Sequence, residues 1–221
     1  MSWTLDNLDL IGSLVVLHLR HSVPPIVVGL VIALPLGWTA HRFRAVRGFV
    51  LTVTGLLYTL PSLALLPLLP VVFGISALSE LNLVLALTIY AVALLVRSAA
   101  DGFDSVDGDV RRAAIATGYS PVARFFRVEL PLAGPVILAG LRVAAVSTVS
   151  LATVGILIGV TNLGYLFTNG FQRRLVEEIL AGVVTVALVA LVIDLLLVAA
   201  GRALMPWARA PRERAAARRT G

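Results

Sequence analysis

The chain has 221 residues, of which 59% are hydrophobic and 14% are charged, and its net charge is +6. Soluble domains carry about 25% charged residues, so this composition excludes an ordinary soluble enzyme and a disordered chain. The chain contains no cysteine, which excludes a disulfide framework, a cysteine nucleophile and a thiolate metal site. We expect one membrane domain over residues 1–221.

Apolar runs predict an all-α protein with about five transmembrane helices. A bilayer core is about 30 Å thick, so a spanning helix needs about 20 apolar residues. Runs of this kind lie at residues 23–40, 48–73, 81–96, 132–160 and 179–200. The apolar stretch 8–20 is shorter and ends at Arg20 and His21. We predict that residues 1–21 form an outer, interfacial helix; the alternative is a longer first span that continues through Pro24 and Pro25.

The distribution of arginine predicts the orientation. All 18 basic residues are arginine, and cytoplasmic loops of membrane proteins are enriched in such residues. Fourteen arginines follow the first, third and fifth spans, whereas three lie on the opposite side and Arg142 lies inside a span. We therefore expect the N-terminus outside, the C-terminus and the basic tail 201–221 inside, and Trp38 and Trp207 as lipid anchors at the inner interface.

A polar segment at residues 101–131 lies on the arginine-rich side, between the third and fourth spans. Asp107 is a typical N-cap residue and Asp109 suits the first turn of the helix that follows. Gly118 suits the end of that helix, and Ser120 with Pro121 suits the start of a second helix at residues 121–129. The sequence therefore predicts two short helices joined by a glycine turn.

This segment contains a spaced motif. Ala113 and Ala114 are followed after three residues by Gly118, and after nine more residues by Val128-x-Leu130-Pro131. The pattern resembles the EAA loop of ATP-binding-cassette (ABC) importer permeases, E-A-A-x-x-x-G, nine residues, I-x-L-P. Further stretches resemble the permeases of glycine betaine, carnitine and choline importers: YTLPSLALL at 58–66, VELPLAGPVILAGLR at 128–142, and LIG with NLG at 157–164.

The resemblance implies a type I importer fold in a bacterial cytoplasmic membrane. It implies a second permease chain, two ATPase subunits and an external solute-binding protein as partners, with lipid but no nucleic acid. The polar segment 101–131, called the elbow below, would dock on an ATPase. Its coupling residues would be Arg112, Ala113, Ala114, Gly118, Val128, Leu130 and Pro131. ATP and Mg²⁺ would bind the ATPase, and this chain would carry no cofactor, no metal and no catalytic residue.

The sequence departs from the motif at Arg112, which replaces the family's glutamate. This charge reversal favours either an ATPase groove with a compensating acid or a heterodimer whose other permease has the usual elbow. Other polar residues are candidates for the translocation path: Tyr58, Pro61, Ser62, Ser147 and Ser150. Arg142 and Asp194 are the charged residues inside spans, and they fit either a buried ion pair or the path.

The resemblance implies an osmoprotectant cargo such as glycine betaine, choline, carnitine or proline betaine. The same class of permease also imports methionine, other amino acids or ergothioneine, and these remain alternatives. A non-transport membrane scaffold is a further alternative. An intramembrane enzyme is disfavoured, because the predicted spans contain few polar side chains that could form a catalytic site.

Overall fold

The computed structural model describes residues 2–209, and every regular element in this range is a helix. The α-helices are α1 (Ser2–Asp6), α2 (Leu8–Arg42), α3 (Arg44–Thr59), α4 (Ser62–Phe73), α5 (Glu80–Asp104), α6 (Gly108–Ala116), α7 (Pro121–Arg124), α8 (Leu130–Ala152), α9 (Gly164–Arg173) and α10 (Val176–Leu204). A π-helical turn covers Phe125–Glu129, and 3-10 turns cover Thr153–Ile158 and Pro206–Arg209. Most of the predicted basic tail lies outside the described residues.

Four stretches within residues 2–209 are long and apolar enough to cross a membrane: α2, α5, the stretch Pro121–Ile158, and α10. The pair α3 and α4 passes the same test together but is bent by 111°. The predicted all-α fold with about five spans is therefore confirmed.

Residues 8–21 do not form a separate N-terminal helix, and the alternative, a longer first span that continues through Pro24 and Pro25, is the one observed. Residues 8–42 form the single helix α2, which is about 52 Å long at 1.5 Å per residue. Its first half is fixed in the bundle, because His18 and His21 are buried and His18 Nε2 lies 3.0 Å from the carbonyl oxygen of Val149 in α8. Pro24 and Pro25 do not end the helix. Proline can lie inside a membrane span because neighbouring helices can satisfy the backbone carbonyl groups that it leaves without a donor.

The predicted second span, 48–73, is divided at Pro61 into α3 and α4, as expected for a span that contains proline. Leu60 is extended (φ −63°, ψ 132°) because the proline that follows it disfavours the helical conformation. The hydroxyl of Tyr90 in α5 donates to the Leu60 carbonyl at this break. Pro70 lies inside α4, where it cannot donate to the carbonyl of Leu66, and Asn82 Nδ2 donates to that carbonyl at 2.9 Å instead.

Helix α5 lies at the centre of the core. Its buried residues contact α4 through Leu66 and Leu83, and they contact α2 and α8 through a cluster around Ala91 and Ala144. A Cβ on Gly29 of α2 would lie 2.6 Å from the Cβ of Ala91, so this glycine permits close approach of α2 to α5. The spans are thus arranged around α5, and the polar segment that follows α5 begins at the end of the most buried helix.

The predicted fourth span, 132–160, is helical only as far as Ala152 and continues as the 3-10 turn to Ile158. Asn162 is fully buried and donates from Nδ2 to the carbonyls of Ala152 and Val160, at 2.9 and 3.1 Å. Its Oδ1 accepts from the backbone N–H of Gly164 at 2.7 Å, which starts α9. A buried amide therefore ends the span and turns the chain.

Candidate functional site

The first helix of the predicted elbow is confirmed as α6. The Asp107 carboxylate accepts from the backbone N–H of Asp109 at 2.8 Å, so it caps the helix as expected. Asp109 lies in the first turn, where a negative charge stabilises the exposed N–H groups.

The glycine turn has the geometry of a Schellman motif. Gly118 has φ +83°, and its N–H donates to the carbonyl of Ile115 at 3.0 Å. The N–H of Tyr119 donates to the carbonyl of Ala114 at 3.1 Å. These two bonds define the motif and reverse the chain directly after α6.

Residues 121–129, predicted as a single helix, form the short helix α7 and a π-helical turn. Ser120 caps α7 by accepting from the N–H of Ala123 at 3.3 Å, with Pro121 in the first turn, as predicted. The α-helix then gives way to the π-helical turn Phe125–Glu129, which runs into α8 without a break. The elbow is therefore continuous with the fourth span.

Glu129, which the sequence analysis did not select, is the most connected residue of the elbow. Its side chain is 4% exposed and accepts from Arg124 Nε at 2.9 Å, Arg111 Nε at 3.1 Å and Trp38 Nε1 at 3.1 Å. These donors belong to α7, α6 and α2. Trp38, predicted as a lipid anchor, is thus bonded to the elbow. The only sequence signal was an acidic residue among arginines at the start of an apolar run.

Phe125 of the π-helical turn packs between two other aromatic rings. Its ring centroid lies 5.7 Å from that of Trp38 and 5.6 Å from that of Phe103 at the end of α5. Arg111 also donates from Nη2 to the carbonyl of Phe103 at 3.3 Å. The C-terminal ends of α2 and α5 therefore hold the elbow through both aromatic and charged contacts.

The elbow presents the predicted motif residues in two groups. The Arg112 side chain is 74% exposed and pairs with Asp109, and Ala113 is also exposed. Ala114 is buried. The surface around Arg112 also exposes large apolar side chains: Ile115, Val122 and Phe126. An exposed apolar surface rimmed by charge is typical of a protein contact.

The C-terminal part of the motif, from Val128 to Pro131, attaches the elbow to α8. Val128 is half-buried in the π-helical turn, and Leu130 packs against the cluster that contains Phe103 and Ala133. The Pro131 carbonyl accepts from Trp207 Nε1 at 3.2 Å. The 3-10 turn Pro206–Arg209 therefore also contacts this part of the elbow.

Arg142 and Asp194 form the ion pair that the sequence suggested. Arg142 Nε and Nη2 donate to the two carboxylate oxygens of Asp194 at 2.6 and 2.8 Å. The Arg142 side chain is 42% exposed, so the pair lies at a surface of this chain rather than in its core. An open cleft of about 550 Å³ is lined by both residues and by Ser147.

The remaining path candidates lie elsewhere. Tyr58 is exposed and makes an edge contact with Tyr90, with 6.3 Å between ring centroids. Pro61 is exposed at the break between α3 and α4, and Ser62 lines a small cavity with Leu151 and Val154. Ser150 is exposed. Tyr58, Pro61 and Ser62 therefore lie at the helix break, whereas Ser147 lies with Arg142 and Asp194 in the open cleft.

The residues in the range 2–209 contain no group of three histidine or acidic side chains arranged to hold a metal ion.

Comparison with known proteins agrees with this geometry. The family described as "Binding-protein-dependent transport system inner membrane component" matches residues 26–210. The "Glycine betaine/carnitine/choline transport system permease protein OpuCD" of Bacillus subtilis is 32% identical over 86% of this chain and 82% of its own length.

A second relative is named for a different cargo. The "Ergothioneine transport permease/ergothioneine binding protein EgtU" of Helicobacter pylori is 37% identical over 75% of this chain, which corresponds to 29% of that longer protein.

Among solved structures, a chain of the MetNI methionine ABC transporter superposes with a TM-score of 0.78 at 19% identity, covering 89% of this chain and 97% of that chain. At this identity the superposition establishes the fold alone.

Proposed function

Because the chain belongs to the family of binding-protein-dependent transport system inner membrane components, and is therefore the translocation subunit of an ABC importer, we propose that it imports osmoprotectants. The cargo class would be small quaternary ammonium compounds such as glycine betaine, choline, carnitine and proline betaine. Support comes from the OpuCD relative, which the chain matches over most of both lengths.

The coupling role is supported by the structure of the elbow between Asp107 and Pro131. Its capped helices and Schellman turn make a rigid projection, and its outer face combines Arg112 with exposed apolar side chains. In this proposal the elbow docks in a groove of a cytoplasmic ATPase. That ATPase binds ATP and Mg²⁺, and this chain has no catalytic role.

Force from the ATPase would reach the spans through two connections. The π-helical turn passes directly into α8, so a displacement of α7 moves the base of the fourth span. Glu129 joins α6 and α7 to Trp38 of α2, so the same displacement also acts on the first span. The elbow, α2 and α8 would therefore move together when the ATPases close.

The two groups of path candidates have different roles in this proposal. Tyr58, Pro61 and Ser62 lie at the helix break, where backbone free of helical bonds is tolerated only beside protein or water. Tyr58 offers an exposed aromatic face, which suits a quaternary ammonium ion. Arg142, Ser147 and Asp194 line an open cleft, and charges in a membrane-spanning segment face water or a protein partner.

The second permease is proposed to be a different chain. Arg112 reverses the charge of the motif's first position, and a heterodimer would let the partner's elbow supply the usual contact to the second ATPase. The external binding protein would deliver the solute on the side opposite the elbow, which requires the N-terminus outside and the C-terminus inside.

Calorimetry on the cognate external binding protein tests the cargo. We expect binding of glycine betaine, choline or carnitine, and uptake of the same labelled compound by liposomes that contain the assembled importer. Binding of only a solute outside the betaine class would contradict the cargo while leaving the importer role intact.

Ergothioneine is the second candidate cargo, because EgtU is 37% identical over 75% of the chain. Ergothioneine is itself a betaine, so the same titration series separates the two: exclusive binding of ergothioneine would replace the osmoprotectant proposal.

A further inference from the structure

A polar cavity of about 480 Å³ lies at the inner end of the bundle, between the α2–α3 connection, the end of α5 and the elbow. Its charged lining consists of four arginines and two acids: Arg42, Arg44, Arg111, Arg124, Asp104 and Glu129. The cavity shares Ile115 with the exposed surface around Arg112, but none of its charged groups belongs to that surface.

Both acids are occupied by other contacts. Asp104 lies 2.5 Å from His41 Nδ1 and 2.7 Å from Arg47 Nη1. Glu129 holds Arg111 and Arg124. Within residues 2–209, no carboxylate oxygen lies within 4.0 Å of Arg42 or Arg44, so the positive charges of these two guanidinium groups are uncompensated.

The surroundings of the two arginines suit a membrane lipid. Phe43 stands between them with 51% of its surface exposed, and the Arg42 guanidinium carbon lies 5.7 Å from its ring centroid. Arginines and aromatic rings together are typical of the inner membrane interface. Helix α3 begins at Arg44 and exposes an apolar stripe at helical spacing: Val46, Phe49, Val53 and Leu56.

We propose that this cavity binds the phosphate group of an anionic membrane lipid, with Arg42 and Arg44 as its ligands. Basic pockets between spans on the cytoplasmic side are suited to such headgroups, and the apolar stripe of α3 offers a surface to the acyl chains. A free phosphate would use the same two arginines but not the stripe. Arg111 and Arg124 also line the cavity, so the bound lipid would lie near the arginines that hold the elbow.

Native mass spectrometry of the full chain in detergent tests this proposal, with phosphatidylglycerol and phosphatidylcholine as probes. We expect preferential retention of phosphatidylglycerol by the wild type. The double substitution Arg42→Gln/Arg44→Gln should weaken that retention by about thirtyfold, since each basic residue contributes to binding of an anionic lipid. Arg42→Lys/Arg44→Lys should retain most of it, because lysine also binds phosphate.

Arg127→Gln is the matched control, because Arg127 is an exposed arginine of the π-helical turn that does not line the cavity. Helical content measured by circular dichroism confirms that each variant is folded. Equal losses in Arg127→Gln, or unchanged retention in the glutamine pair, would overturn the proposal. Displacement of the lipid by excess inorganic phosphate would assign the cavity to a free anion instead. Full lipid retention by the glutamine pair with loss of the co-purified ATPase would assign it to the ATPase contact.

Discussion

Glu129 accepts hydrogen bonds from three donors on three elements, and its carboxylate is buried. Its removal leaves two guanidinium groups beside each other without an acid, and breaking a buried pair in this way is strongly destabilising. The shape of the elbow therefore depends on a residue outside the exposed surface around Arg112.

We expect Glu129→Gln, which preserves size but removes the charge, to lower the free energy of unfolding by about 3 kcal/mol. Arg112→Gln breaks only the exposed pair with Asp109 and should cost less than about 1 kcal/mol. Thermal unfolding in detergent measures both. Equal costs would indicate that Glu129 does not hold the elbow.

Arg142 and Asp194 form a bidentate ion pair between α8 and α10. If the pair is structural, Arg142→Ala leaves an unpaired carboxylate and should reduce the yield of assembled protein, whereas Arg142→Ala/Asp194→Ala should restore it. Size-exclusion chromatography in detergent measures the yield. Restored assembly with lost uptake in the double variant would place the pair in the path; no restoration would contradict a purely structural pair.

At the scale of elements, the elbow is built from two short helices that meet at Gly118. A left-handed conformation costs a residue with a Cβ about 1–2 kcal/mol, and asparagine tolerates it better than alanine. The position has open space around it, so the backbone angle alone accounts for any cost.

Gly118→Ala should therefore reduce the amount of ATPase that co-purifies with the chain by about fivefold, which corresponds to about 1 kcal/mol. Gly118→Asn should reduce it less. Pull-down with a tagged ATPase subunit measures both. Harmless substitutions, together with unchanged uptake, would favour the scaffold alternative over the importer.

The elbow shows how far local sequence signals reach. Asp107, Gly118, Ser120 and Pro121 act on their own neighbours, and each has the predicted role. The contacts that hold the elbow in place join residues far apart in the chain. Trp38 reaches Glu129 across 91 positions, and no periodicity or local spacing indicates such a pair.

The same reason explains the errors in the spans. Proline is a local signal, and distant partners decide whether the helix breaks or continues at it. At Pro70, Asn82 satisfies the carbonyl that the proline cannot, so α4 continues; at Pro61, the conformation of Leu60 and the bond from Tyr90 fix a bend of 111°. Buried His18 shows likewise why the N-terminal segment packs in the bundle rather than forming a separate interfacial helix.

At the scale of the whole molecule, the arrangement of arginines predicts one orientation in the membrane. The elbow, the Arg42–Arg44 connection and the end of α10 would all face the cytoplasm, as anionic lipid and an ATPase require. This orientation remains a prediction.

The orientation can be measured by thiol labelling, because the chain contains no cysteine. A single introduced cysteine is then the only residue of this chain that reacts with a maleimide. In intact cells, Asp6→Cys should react with a membrane-impermeant maleimide, and Ala208→Cys should react only after permeabilisation; both positions are exposed. Labelling is read by gel shift, with the cysteine-free parent as control. The reverse pattern would invert the topology and remove the elbow from the cytoplasm.

The link between Trp38 and Glu129 also bears on how the molecule is made. Trp38 leaves the ribosome well before Glu129, so the elbow can reach its final shape only after the first and third spans are inserted and α2 has packed beside α5. A nascent or misinserted chain would therefore lack the finished docking face. We expect the ATPase to bind late in biogenesis. This order would prevent ATP hydrolysis by complexes whose permease cannot yet transport.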